Sequence, residues 1–228
     1  CGSVPTQHIV EAEWIGQMAN GEPRLSGIVA TAPMEEGRAV GASLETLAAM
    51  KRVKGIRRNI QDEAEQGFCL REGFITAVKM LSTLELSFDI CIRHHQMEDA
   101  IELVRRCPNV LFMLDHMGKP DIRHRRLEPW KSHMQALACL PNVWCKISGL
   151  ATEADPEHWR PHDLKPYIDH AIDCFGFERV AYGGDWPVAL LATEYGRWVE
   201  ALQWAVRECS STEQRKLFHD NAVTFYRL

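Results

Sequence analysis

The sequence lacks any excess of positive charge. Its 26 Lys and Arg face 31 Asp and Glu, for a formal net charge of −5. Its basic tetrapeptide, Arg123 to Arg126, is short and isolated enough to read as a solvated loop, so no nucleic-acid partner is expected. Long apolar runs are missing as well. None approaches the roughly 18 residues that a membrane span requires, and no membrane partner is expected. The cysteines, at positions 1, 69, 91, 107, 139, 145, 174 and 209, form no Cys-x-x-Cys pair. Cys91 and Cys145 lie inside apolar runs, as reduced thiols packed like small hydrophobes do, which points to a cytoplasmic protein. Neither Gly-x-Gly-x-x-Gly nor a phosphate-binding Gly-x-x-x-x-Gly-Lys motif follows an early strand, so the usual nucleotide site of an open sheet has no support. The glycine pair in "YGGDWP" precedes a Trp-Pro turn and makes a poor phosphate cradle.

What is present is a repeat of short apolar runs with amphipathic stretches between them. Strand candidates begin at Ser26, Val53, Leu86, Val110, Val143 and Arg179, each separated from the next by about the length of one strand-helix unit. Between them, "MEDAIELVRRC" (Met97–Cys107) puts Ile101, Val104 and Cys107 on one side, and charge on the other. "DLKPYIDHAIDCFG" (Asp163–Gly176) starts near a capping Asp and stops at a Gly. No linker or change of composition divides the chain, so residues 1–228 read as one domain. Strict alternation of this kind gives a parallel sheet, either open and doubly wound or closed as a barrel.

The barrel is favoured by the polar residues at the strand ends. Arg57 and Arg58, His94 and His95, Asp115 and His116, Lys146 and Ser148, and Asp185 all occupy such ends, and barrel active sites are built there. Two readings stay open for several of them. Asp115 is a turn former or helix cap on one reading and a site residue on the other. Lys146 is a buried ion pair or a substrate contact. His94 and His95, being adjacent, point opposite ways, so at most one faces the mouth. His116 and Asp185 each end an apolar strand before a Pro-containing turn. Together they could share a divalent metal or act as base and orienting partner on a water.

These residues also carry a resemblance. "LDHMGKP", "WCKISGL", "YGGDWPV" and "LFHDNAVTFYRL" together resemble the amidohydrolase-related lactone hydrolases, a family that includes fuconolactonase-like and pyrone-dicarboxylate lactonase-like enzymes. "GIRRNIQDE" and "FDICIRHHQM" fit the same pattern. The resemblance implies an α/β fold, the (β/α)8 TIM-type barrel of the amidohydrolase superfamily. It further implies that strand one and most of strand two are absent from this chain. The family's first strand carries a His-x-His pair, which this sequence does not contain, and the opening "CGSVPTQHIVEAEWIGQMANG" resembles the end of strand two with its helix. Roughly 250 residues is typical of the whole barrel. The expectation is therefore a partial barrel, strands three to eight, with two open edges, an exposed apolar interior and no activity of its own.

For function, the resemblance implies hydrolysis of a small sugar-acid or dicarboxylate lactone. Asp185 would be the residue that moves the proton of the attacking water. His116 would polarise the carbonyl or, with Asp185, hold a metal. Arg57, Trp186, Lys146 and His94 would contact substrate, with Trp186 walling the pocket. Gln96 matches a recurring Gln of no assigned role. The cofactor expectation is one divalent metal, zinc or manganese, or none at all. The alternatives are a zinc-dependent decarboxylase of an aromatic acid on the same barrel, or a degenerate barrel kept as a binding module. Specificity would lie in "GLATEADPEHWRPHD" and "VALLATEYGRW".

Overall fold

A computed structural model describes residues 7–228. All six expected strands form: β1 (Ile28–Thr31), β2 (Val53–Asn59), β3 (Ser87–Cys91), β4 (Phe112–Leu114), β5 (Val143–Ile147) and β6 (Val180–Tyr182). They pair in chain order, every pair parallel, in a single sheet. The helices are α1 (His8–Gly21), α2 (Gly41–Ala49), α3 (Glu72–Met80), α4 (Met97–Arg106), α5 (Trp130–Ala138), α6 (Leu150–Glu153), α7 (Pro161–Phe175), α8 (Tyr195–Ala205), α9 (Ser211–Arg215) and α10 (Asn221–Tyr226). This is the strand-helix alternation of a partial TIM barrel. The expected end of strand two, at the start of the chain, lies outside the described residues.

Strand residues alternate between two faces. Ile56, Phe88, Ile90, Phe112, Leu114, Val143, Cys145 and Val180 point outward into the main core, against the helices. The opposite parity points inward: Arg57 beside Asp89, Asp89 beside Met113, Met113 beside Trp144, and Lys146 beside Ala181. The lower part of this inner face is apolar and is closed by α10, whose Phe225 and Tyr226 pack with Met113, Trp144 and Ala181. Met113, Ala181 and Phe225 are buried, so this part of the interior is not exposed as the sequence had suggested. Next to it, β1 and β6 remain unpaired to one another. A groove of about 700 Å³ runs along β1, lined by Ile28, Val29, Phe218, Val223, Tyr226 and the Lys146 side chain among others.

The two helix expectations fare differently. α4 buries Met97, Ala100, Ile101, Leu103 and Val104, as its pattern required. α7 begins earlier than expected, at Pro161, because Asp163 sits in the first turn and reaches back to the Arg160 N–H at 2.9 Å instead of capping the helix itself. Arg123 to Arg126 form an exposed turn, with Ile122 just before them buried.

Candidate active site

The upper rim of the inner face carries two groups of polar side chains. One centres on Lys146, which β5 directs inward. Its Nζ donates to Asp89 Oδ2 at 2.8 Å and to Asp115 Oδ1 at 2.5 Å. Arg57 Nη1 donates to Asp115 Oδ2 at 3.3 Å, and the Tyr226 hydroxyl donates to Asp89 Oδ2 at 2.6 Å. Both carboxylates are almost wholly enclosed, Asp115 at 0% and Asp89 at 1% exposure. The Asp115 carboxylate caps no helix, since it accepts from Lys146 and Arg57, and Lys146 forms the buried ion pair that one of its two readings required. Burial opposes the charge on Asp115, yet Lys146, His116 and Arg57 outweigh it and hold the carboxyl far below its usual range. On Asp89 burial wins: its pKa rises despite Lys146, with Asp115 adding to the rise. One Asp89 oxygen, Oδ1, has no partner among the described residues.

The other group joins the ends of β4, β5 and β6. After Leu114 the chain runs through left-handed backbone, with φ of 53° at His116, 54° at Met117, 69° at Gly118 and 52° at Lys119. Such conformations cost non-glycine residues roughly 1–2 kcal/mol each, so something must impose them. The buried Trp130 indole donates to the Met117 carbonyl at 2.7 Å, and the Lys119 N–H donates to the His116 carbonyl at 2.8 Å. His94 Nδ1 meets the Lys119 carbonyl at 3.1 Å. Asp185, at the end of β6, is likewise left-handed, with φ of 50°.

These turns bring His116 Nε2 to 3.6 Å from Asp185 Oδ1. The other ring nitrogen, Nδ1, lies 2.8 Å from Ser148 Oγ. Gly149 has φ of 66° and closes the gap between them: a Cβ there would come within 2.8 Å of His116 Nδ1 and 3.0 Å of Asp185 Oδ2. Burial lowers the His116 pKa, as do Lys146 and Lys119, against the opposing pull of Asp115 and Asp185. The ring is therefore neutral at neutral pH. The side chains of His116 and Asp185 are still 10% and 13% exposed, so both reach the mouth.

The structure thus brings His116 and Asp185 together and sets Arg57 and Lys146 directly behind them through Asp115. Arg57 keeps 24% of its side chain exposed. His94 is half-buried and turned toward the Lys119 backbone, while His95 is exposed. Trp186 stands at the rim, 68% exposed. Asp89 and Tyr226 were absent from the sequence reading. A lone carboxylate inside the apolar "LSFDICI" was a usable signal for Asp89, whereas nothing local marked Tyr226.

A metal can be weighed against these donors. Cys91, Asp115 and His116 each place one ligand atom within 4.8 Å of the others. Asp115, however, is already taken by Lys146 and Arg57. The Cys91 thiol, pushed up to about 11 by burial and by Asp115, would have to give up its proton to an incoming ion, and Asp185 does not stand in the same 4.8 Å group. That leaves His116 Nε2 and the Asp185 carboxylate, where a catalytic zinc typically takes about three protein ligands. The described residues do not complete such a cage.

A family model described as amidohydrolase matches residues 6–228. The chain belongs to the amidohydrolase family. It is 30% identical over 230 residues to an L-fucono-1,5-lactonase of Burkholderia ambifaria, covering 99% of this chain and 78% of that enzyme. Its fold matches a crystal structure of an amidohydrolase from Burkholderia multivorans with bound zinc, at a TM-score of 0.88 and 28% identity. That match covers 96% of this chain and 79% of the other. A manganese-bound 5-carboxyvanillate decarboxylase from Novosphingobium aromaticivorans shares the fold at a TM-score of 0.70 and 16% identity, over 98% of this chain and 71% of that one.

Proposed function

We propose that this amidohydrolase hydrolyses a small lactone, with Asp185 and His116 as its catalytic residues. The observation that carries the reading is the facing of His116 Nε2 and Asp185 Oδ1 across 3.6 Å at the strand ends, each held in left-handed backbone. The likeness to a lactonase at 30% identity supports the same chemistry.

In this reading Asp185 accepts a proton from water as the water oxygen attacks the lactone carbonyl carbon. His116 steadies the negative charge that develops on the carbonyl oxygen, in a pocket where burial strengthens such a contact. The tetrahedral intermediate then breaks its ring C–O bond. Asp185 returns the proton to the departing alkoxide, and the product is an open-chain hydroxy acid. Arg57 offers its exposed part to a substrate hydroxyl or carboxylate, where a guanidinium fork gives directional bonds. Trp186 covers an apolar face of the lactone ring at the rim, and His94 lines the same mouth. Among the described residues a divalent ion would meet only His116 and Asp185 here, fewer than the protein ligands a catalytic zinc takes, so no step is assigned to one.

The decarboxylase shares the fold, and at 16% identity that likeness carries no argument for its reaction here. The test is proton release from a panel of aldonolactones and dicarboxylate lactones, run beside carbon dioxide release from hydroxylated aromatic acids. Proton release with a lactone at rates well above buffer hydrolysis is the expected result. Carbon dioxide from an aromatic acid with no lactone turnover would overturn it.

A further inference from the structure

His116 has two ring nitrogens, and its chemistry depends on which one carries the hydrogen. Nε2 faces Asp185, and Nδ1 faces Ser148 Oγ at 2.8 Å. Ser148 is fully buried at the end of β5. Neighbouring backbone presses in around it: a Cβ on Gly183 would come within 2.7 Å of the Ser148 Cβ. The serine hydroxyl is thus held against the imidazole.

A serine hydroxyl has one hydrogen to give and lone pairs to accept with. His116 Nδ1 is the partner that the described residues offer it. Were Nδ1 protonated, it would donate to Oγ, and the serine's own hydrogen would be buried with no acceptor. A buried donor left without an acceptor is the more costly arrangement. With the serine as donor, both groups are satisfied, and the hydrogen of the neutral ring has to sit on Nε2. We infer that Ser148 is a positioning residue that fixes His116 as the Nε2–H tautomer, so the ring presents a hydrogen-bond donor toward Asp185 and the reacting group.

The two catalytic roles then separate. His116 has no lone pair to offer at Nε2, so it acts as the donor to the carbonyl oxygen and not as the base. Asp185 is left as the proton acceptor. The opposite tautomer, with Nδ1–H donating to Oγ and a lone pair on Nε2, is the one a metal ligand would need. The catalytic meaning of Ser148 rests on the lactone reading, whereas the tautomer does not.

The experiment is a two-bond ¹H–¹⁵N correlation spectrum of the full chain labelled in histidine, with the His116 signals assigned from a His116→Gln variant. The expected pattern is a protonated Nε2 and a bare Nδ1, kept in Ser148→Thr and lost or mixed in Ser148→Ala. With the lactone found in the panel, Ser148→Ala should lower kcat about 10–100-fold, the usual scale for a partner that orients a histidine, and leave KM within about twofold. A protonated Nδ1 in the wild type, or an unchanged pattern in Ser148→Ala, overturns the inference. If Ser148→Ala does not fold, the wild-type and Ser148→Thr spectra decide it. The expected tautomer without lactone turnover would keep the positioning role and sink the lactone reading; turnover with the opposite tautomer would do the reverse.

Discussion

Two groups of charge share the rim of this sheet and are built on opposite terms. Around Lys146 the contacts are short: 2.5 Å and 2.8 Å to the carboxylates, 2.6 Å from Tyr226 to Asp89. The backbone beneath Lys146, Asp89 and Arg57 is regular strand. Around His116 and Asp185 the backbone is left-handed on both sides, and the two side chains stop 3.6 Å apart. The difference shows what each group is for. Paired, buried charges hold β2, β3, β4, β5 and α10 in register. A strained, imperfectly closed pair leaves room for something to enter. Asp115 and His116 are adjacent in the chain, so the rigid group holds the reactive one in place.

The largest effect should come from the rigid side. Lys146→Met leaves Asp89 and Asp115 buried without their shared cation, and removing one partner of a buried pair costs about 3–5 kcal/mol. Urea unfolding should show a free energy of unfolding lowered by that amount, with the midpoint falling accordingly, or no folded protein. A midpoint equal to wild type would mean that the network does not hold the sheet together.

Much of this comparison was legible in the sequence, though unevenly. The strands were visible as apolar runs, and His116 and Asp185 as polar residues that end them. The pairing of Lys146 was not legible, because its partners lie 57 and 31 positions away and the inward parity of β5 was unknown. Tyr226 is 137 positions from Asp89 and reaches it only because α10 folds under the sheet. Asp115 was ambiguous because a strand-end Asp suits a turn as well as a buried pair, and only burial separates the two.

A smaller effect sharpens the contrast between the two carboxylates. Asp115 has a folded pKa below its unfolded value of about 3.9, so its contribution to stability is present above that pH and lost as pH falls into the acid range. Asp89 has a raised pKa, so its contribution runs the other way: present at low pH and lost as pH rises through its folded value. Urea midpoints measured between neutral pH and the acid limit should therefore fall less steeply in Asp115→Asn than in wild type. In Asp89→Asn they should fall at least as steeply as in wild type. The same acid slope in both variants would contradict the assignment of the charge to Asp115.

The most direct test is one variant on the poised side, Asp185→Asn, measured for turnover of the lactone. The side chain keeps its shape and loses its capacity to accept a proton. We expect kcat to fall by at least about 100-fold, in the range that positioned acid-base catalysis supplies, with KM and the unfolding midpoint close to wild type. Near-full turnover in Asp185→Asn would contradict the account, because Asp185 is the group to which it assigns the water's proton.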